Sequence, residues 1–393
     1  MWQILTSDQS LLRDTTARFL ADQVPLSKLR KDRHHPAGFD PDYWKSGAEI
    51  GWTSLLVAEE SGGGSVSGRG PVDVALIAYE FGRHAAPGPL VDCNVIASAL
   101  SAQQDEQSAA VLADLIAGSS VASYCLGAAP WWSVEQSTLR IRRQGGDFLI
   151  DGIVRPVESA GVARHLLVTA MSDGGPTQML IDARAPGITI SELKGIDVSR
   201  RFASIEFSNV RVRSGTLLGS YGQAGAQIAR QIQEATVILC AEAVGAMDSA
   251  FEMTVEWAFN RYTFGRALAS YQALKHRFAD LKSWLEASHA ISDAAADAVA
   301  DRVALAADTS SAAKSYIGER GPELAQDCVQ LFGGIGVTYD HDLHFYLRRV
   351  TLNRLLYGTP AQHRRRLAQL EIDRQESATC KNAAQANVSE VSA

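Results

Sequence analysis

Arg261-Tyr-Thr-Phe-Gly-Arg266 places two guanidinium groups, an aromatic ring and a bare glycine side by side. Arginine presents a fixed fork of donors that suits a pyrophosphate oxygen pair. Phe264 and Gly265 let the backbone turn closely past a ligand. About seventy residues later, Gln330-Leu-Phe-Gly-Gly-Ile-Gly336 sets a side-chain amide, Gln330, beside bare backbone at Gly333 and Gly334. A third segment, Tyr357-Gly-Thr-Pro-Ala-Gln362, contains no acid. Each has a plainer reading: Arg261 as the cation favoured at a helix C-terminus, and the glycines as turn residues between two helices.

Other chemistry-bearing stretches are weaker. Gly62-Gly-Gly-Ser-Val-Ser-Gly-Arg69 resembles a phosphate-cradling loop but lacks the G-K-[ST] ending and has no strand feeding it. His34-His35 and the pair His341 and His344 lack the acidic or cysteine partners of a metal site, so they read as surface or core histidines. Arg364-Arg365-Arg366 reads as one exposed helix face.

The elements that must carry these residues fall into three blocks. Residues 1–120 read as helices: Leu11, Leu12, Thr15, Phe19 and Leu20 recur at helical spacing, and 72–82, 91–100 and 105–117 are further helices. Residues 61–70, with three adjacent glycines, read as a flexible loop. From 121 to 220 the pattern is of short strands: 138–142 and 147–152 across a Gly145-Gly146 reversal, then 165–170, 177–181, 187–190 and 202–207. That spacing predicts a small antiparallel barrel or sandwich. Residues 221–375 return to long helices. Ile228, Ile232, Ala235, Leu239 and Ala243 mark one apolar stripe, while Tyr271, Leu274, Phe278, Leu281 and Leu285 predict a second, continuous buried face. The alanine-rich run 287–307 permits close helix approach. Residues 376–393 are Ser-, Ala-, Asn- and Gln-rich and read as a disordered tail.

The composition excludes several classes. The net charge of −7 and the pI near 5.8 argue against a general nucleic-acid binder. Five scattered cysteines without a C-x-x-C pair fit a reducing cytoplasm, with neither a disulfide framework nor a zinc site. No apolar run approaches the roughly 18–20 residues that span a bilayer, and the first eight residues lack the pattern of a secretory signal.

Helices, a small β domain, then a helical bundle, together with the R-x-x-F-G and Q-x-x-G-G segments at matching spacing, resemble the acyl-CoA dehydrogenase family. The resemblance runs through most of the chain and implies an α+β fold: an N-terminal helical domain, a central antiparallel β domain and a C-terminal four-helix-type bundle. It implies that Arg261, Phe264, Gln272, Gln330, Gly333 and Gly334 reach the FAD of an adjacent subunit, so that the cofactor is shared across an interface. The implied substrate is an acyl-CoA thioester, desaturated at its α,β bond, with an electron-transfer-flavoprotein-type acceptor.

The departures from the family pattern are as specific. Its T-E-P-x-x-G-S-D-like segment is replaced by Ser123-Tyr-Cys-Leu-Gly-Ala-Ala-Pro-Trp-Trp-Ser133. Its G-x-K-x-W-I-T-N-like strand is replaced by Gly152-Ile-Val-Arg-Pro-Val-Glu-Ser159, whose Pro156 and Glu158 would hinder a flavin ring. Tyr357 occupies the usual position of the catalytic carboxylate. The alternative position on the first bundle helix aligns with Ala235; Glu234 is adjacent but turned by about 100°, and reads as a solvated or interface carboxylate. What is missing is what a subunit uses on its own flavin, and what remains is what it supplies across an interface. The expectation is therefore a non-catalytic partner in an α2β2 assembly with a homologous catalytic subunit, similar to the heterotetrameric enzymes of steroid-degrading actinobacteria. Two alternatives stay open: a self-sufficient homotetramer with a relocated base, Glu234 or Glu158, and a flavin-free assembly or acyl-CoA-binding protein.

Overall fold

The computed structural model describes residues 5–127 and 137–391. The stretch from Ala128 to Ser133, including Pro130, and the first four residues lie outside the described residues. The chain opens with α1 (Ser7–Gln23), whose Thr6 and Gln9 form a reciprocal capping box. Then come α2 (Leu26–Lys31), α3 (Pro41–Ile50), α4 (Gly70–Arg83), α5 (Leu90–Ser101) and α6 (Glu106–Ile116). Sequence periodicity did not reveal α3; Asp40 caps its start, Pro41 occupies its first turn, and Gly51 ends it in a left-handed conformation.

The central sheet contains β1 (Ala122–Leu126), β2 (Leu139–Gln144), β3 (Asp147–Glu158), β4 (His165–Ser172), β5 (Gly175–Asp182), β6 (Ile188–Leu193) and β7 (Phe202–Arg213). Its order is β1-β4-β2-β3-β7-β6, with β5 paired to β4. Most pairs are antiparallel, but β4 runs parallel to β1 and β2. β1 escaped the sequence reading because both its faces are buried, so it shows no alternation.

The C-terminal part holds α7 (Gly225–Asn260), a short hairpin of β8 (Tyr262–Thr263) and β9 (Arg266–Ala267), then α8 (Gln272–Ala300), α9 (Ala306–Phe332), α10 (Leu343–Leu355) and α11 (Pro360–Val391). The stripe Ile228, Ile232, Ala235, Leu239 and Ala243 is buried throughout, making α7 the central helix. Two glycines set its crossing with α4. A Cβ at Gly82 would stand 1.9 Å from the Glu242 carbonyl, and one at Gly245 would stand 2.0 Å from the Tyr79 carbonyl. The two helices therefore touch backbone to backbone, and one apolar core runs through both helical regions while the sheet has its own.

Four expectations change. On α8 and at its cap, Leu281 and Leu285 are buried, but Tyr271, Leu274 and Phe278 stay partly exposed: among the described residues, the hairpin and Phe251 of α7 cover that end of the helix only in part. The alanine-rich run is broken after Ala300 by a turn with Arg302 at φ 51°. The 61–70 loop is pinned rather than loose: buried Asp73 accepts from Ser65 Oγ, Ser67 N, Ser67 Oγ and Gln9 Nε2 at 2.7–3.0 Å. Past residue 375 α11 continues as a helix to Val391, since no glycine or proline follows Pro360 to stop it.

Candidate functional site

The first constellation forms an exposed arm at the far end of α7. The helix stops at Asn260; Arg261 leaves in extended backbone, and its N–H bonds the Trp257 carbonyl. Phe264 and Gly265, at φ 51° and 81°, make the two-residue reversal between β8 and β9. The Leu268 N–H closes the hairpin on the Arg261 carbonyl at 2.7 Å. The Arg261 guanidinium lies 5.8 Å from the Trp257 ring, which stacks on Phe332 at 5.2 Å. Phe332 ends α9, and Gly333 follows it at φ 71°. Packing thus brings Arg261, Gln330, Gly333 and Gly334 to one end of the bundle. Gln272 begins α8 just after Tyr271, whose hydroxyl donates to the Thr263 carbonyl of the hairpin. All six residues that the resemblance singles out are exposed, and Phe264 is 99% exposed. Phe259, Tyr262, Ile335 and Val337 add exposed apolar surface on the same elements.

The second constellation is interior, and it joins residues far apart in sequence. The Tyr357 hydroxyl donates to Asp92 Oδ1 at 2.9 Å, and the Tyr124 N–H donates to Asp92 Oδ2 at 2.9 Å. The Tyr124 hydroxyl donates to Gln231 Oε1 and accepts from Gln178 Nε2. Beside this group, Arg200 grips both carboxylate oxygens of Glu158 and donates to Asn353 Oδ1 at 2.9 Å. Arg349, fully buried, donates to Asp197 Oδ2 at 2.7 Å, Glu242 Oε1 at 2.6 Å, the Ser199 hydroxyl and the carbonyls of Ala85 and Ala86.

Two guanidinium groups face Glu158, Glu242, Asp197 and Asp92. Burial, and then the charge of Glu158, push the Asp92 carboxyl up to about 7, against the opposing pull of its two donors and Arg200. Burial is the largest single influence on Asp197 and pushes it up, but the Arg349 guanidinium and the Ser199 donors together outweigh it and hold that carboxyl low. Tyr357 is pushed well above an ordinary phenol by burial and by the Asp92 charge. Its turn, at φ 53°, is held by buried Lys314, which donates to the carbonyls of Asn353, Arg354 and Gly358. The sequence singled out Tyr357 and Glu158 but not their partners; a signal that could have added Asp92 was an acid inside the apolar run Leu90-Val-Asp-Cys-Asn-Val-Ile96.

Of the two carboxylates considered as relocated bases, Glu158 is part of this interior group and is committed to Arg200. Glu234 is not a solvated carboxylate: it is 2% exposed, and its Oε1 accepts from Ser98 Oγ at 3.1 Å and Arg230 Nε at 3.0 Å. Burial comes first among the influences that raise its pKa. The helix presses it between α5 and α8, where it lines a cleft of about 720 Å³, whereas Ala235 faces the core.

Residues 6–119 match the family model described as "Acyl-CoA dehydrogenase, N-terminal domain", and residues 225–370 match "Acyl-CoA dehydrogenase, C-terminal domain". Among curated proteins the chain is 28% identical to acyl-CoA dehydrogenase IpdE2 of Mycobacterium tuberculosis, over 92% of this chain and 96% of the relative. It is 24% identical to acryloyl-CoA reductase (NADH) of Anaerotignum propionicum, over 92% of this chain and 93% of the relative. Among solved structures, a variant of the Tcur3481–Tcur3483 steroid ACAD superposes with a TM-score of 0.84 at 24% identity, covering 94% of this chain and 99% of that one. Butyryl-CoA dehydrogenase from Megasphaera elsdenii superposes with a TM-score of 0.85 at 19% identity, covering 95% of this chain and 100% of that one.

Proposed function

This chain belongs to the acyl-CoA dehydrogenase family, and from that premise we propose that it is the non-catalytic subunit of an α2β2 enzyme. In this reading a homologous partner holds most of the FAD and supplies the carboxylate that removes the substrate's α-proton, while this chain lends its arm across the interface. FAD, when bound, supplies the acceptor for the β-hydride. The observation that carries the reading is a contrast between two places. The interior, where the family resemblance puts a subunit's own flavin strand and base, is filled by the Asp92–Tyr357–Tyr124 and Glu158–Arg200 groups. The arm is open and complete.

Arg261 would meet the pyrophosphate with its donor fork, Gln330 would offer an amide, and Gly333 and Gly334 would let phosphate or adenine approach bare backbone; a Cβ built at either glycine meets nothing within 4 Å. Tyr357 cannot serve as the base in the same chain, because a phenol raised well above 10 and bonded to a carboxylate keeps its proton near neutrality. We assign steroid-derived acyl-CoA as the substrate class. The likeness to the Tcur3481–Tcur3483 steroid ACAD supports that class.

Expression of the chain alone and with a homologous partner tests the role. The expected result is a colourless, inactive chain alone and a yellow, active complex with fewer flavins than chains. A yellow, active enzyme from this chain alone would refute it.

A further inference from the structure

The two elements of the arm are held in different ways. The hairpin β8–β9 closes on itself and on the Tyr271 hydroxyl. The glycine segment, Gly333–Val337, instead opens the connection between Phe332, which ends α9, and Leu343, which begins α10. Most hydrogen bonds inside this connection are local. The Thr338 N–H and hydroxyl both donate to the Ile335 carbonyl, the Leu343 N–H donates to His341 Nδ1 at 3.2 Å, and His344 Nε2 pairs with the Tyr339 carbonyl at 3.1 Å. Bonds between near neighbours shape a loop, but they move with it and do not fix where it points. Among the described residues, the long-range hydrogen bonds to the connection come from one side chain of the N-terminal helices. Arg30, near the end of α2, donates from Nη2 to Asp342 Oδ1 at 2.5 Å and to the Asp340 carbonyl at 3.2 Å. The guanidinium groups of Arg30 and Arg33 also lie 5.9 and 5.4 Å from the centre of the Tyr339 ring.

Arg30 works as an anchor because its own base is fixed. After α2 the chain makes a single turn, Asp32–His34, and Arg201 donates to the carbonyls of Arg33 and His35 at 2.7–3.2 Å. Arg201 directly precedes β7 and also donates to the Val198 carbonyl at 2.9 Å, so this turn is tied to the sheet. Arg30 therefore links a fixed point to the connection that carries Gly333 and Gly334. On the premise of the subunit role proposed above, we propose that Arg30 is a positioning residue for the cofactor site. It sets the angle at which Gly333 and Gly334 present bare backbone to the FAD of the partner subunit, without touching the FAD itself. Both of its bonds leave Nη2, whose two hydrogens point in fixed in-plane directions, so the Asp340 carbonyl and the Asp342 carboxylate are held at a set separation.

Two measurements test this. In the full chain alone, Arg30→Gln should speed amide hydrogen exchange across residues 333–342 and leave the hairpin residues 262–268 unchanged. In the apo complex with the homologous partner, titrated with FAD and followed by quenching of flavin fluorescence, Arg30→Gln should weaken FAD about fivefold, the upper range for a partly exposed ion pair. Asp342→Asn cuts the same tie from the other side; it should show the same loss and keeps the test decisive if Arg30→Gln fails to fold. The charge swap Arg30→Asp with Asp342→Arg should bring the affinity back to within about twofold of the wild type, which a role confined to packing would not do. Full FAD affinity in Arg261→Ala would overturn the arm and this proposal together. Weakened FAD in Arg261→Ala with full affinity in Arg30→Gln and Asp342→Asn would overturn this proposal alone, as would unchanged exchange across 333–342 or a charge swap that recovers nothing.

Discussion

Asp92 holds its proton in the folded chain up to about pH 7, whereas an unfolded aspartate releases it near 4. Between those values the folded state carries the extra proton. Its stability therefore falls as pH rises across that window and levels off above it. Asp92→Asn removes this dependence while keeping an acceptor oxygen for the Tyr124 N–H, with its amide turned to donate to the Tyr357 hydroxyl oxygen. Urea midpoints measured from pH 4.5 to 7.5 should decline more steeply in the wild type than in the variant; parallel declines would show that Asp92 is ionised throughout. Arg261 poses the opposite case. It is exposed, so Arg261→Ala should leave thermal stability nearly unchanged. Loss of a charge-assisted hydrogen bond of about 1.5–3 kcal/mol should lower the flavin content of the co-purified complex about tenfold or more at limiting FAD. A full flavin complement in that variant would remove Arg261 from the cofactor.

At the scale of elements, the hairpin β8–β9 and the first turns of α8 look outward with apolar residues that the described residues cover only in part. Phe264 is the extreme case, and Tyr271, Leu274 and Phe278 continue the face along α8. A surface of this kind belongs at an interface. Amide hydrogen exchange should slow across residues 262–280 when the proposed catalytic partner is added, with little change in α4 or α5. Equal exchange with and without the partner would place the interface elsewhere. The periodicity of α8 was legible in the sequence, but whether its first turns face solvent or a neighbour was not. A stripe at helical spacing records only that a face is apolar, not what covers it.

For the molecule as a whole, Arg349 is the joint. From α10 it reaches Asp197 before β7, Glu242 on α7 and the carbonyls that end α4. Its removal leaves buried Asp197 to the Ser199 donors and buried Glu242 to Asn353 and Arg200. Arg349→Ala should therefore cost about 3–5 kcal/mol in urea unfolding and loosen the sheet from the helices. A loss below about 1 kcal/mol would mean that water replaces the guanidinium. The amino-acid sequence by itself determined the order of helices, strands and bundle, the positions of most elements, and the arm motif. Those signals are local: capping residues, apolar periods of two or 3.6, and glycines at turns act within a few neighbours. Only the tertiary structure decided that Asp92 meets Tyr357, that Arg200 closes on Glu158, and that Glu234 turns into a cleft. Such partners are brought together by the crossing of α4, α5, α7 and α10, and a string of residues carries no period that reports a contact 265 positions away.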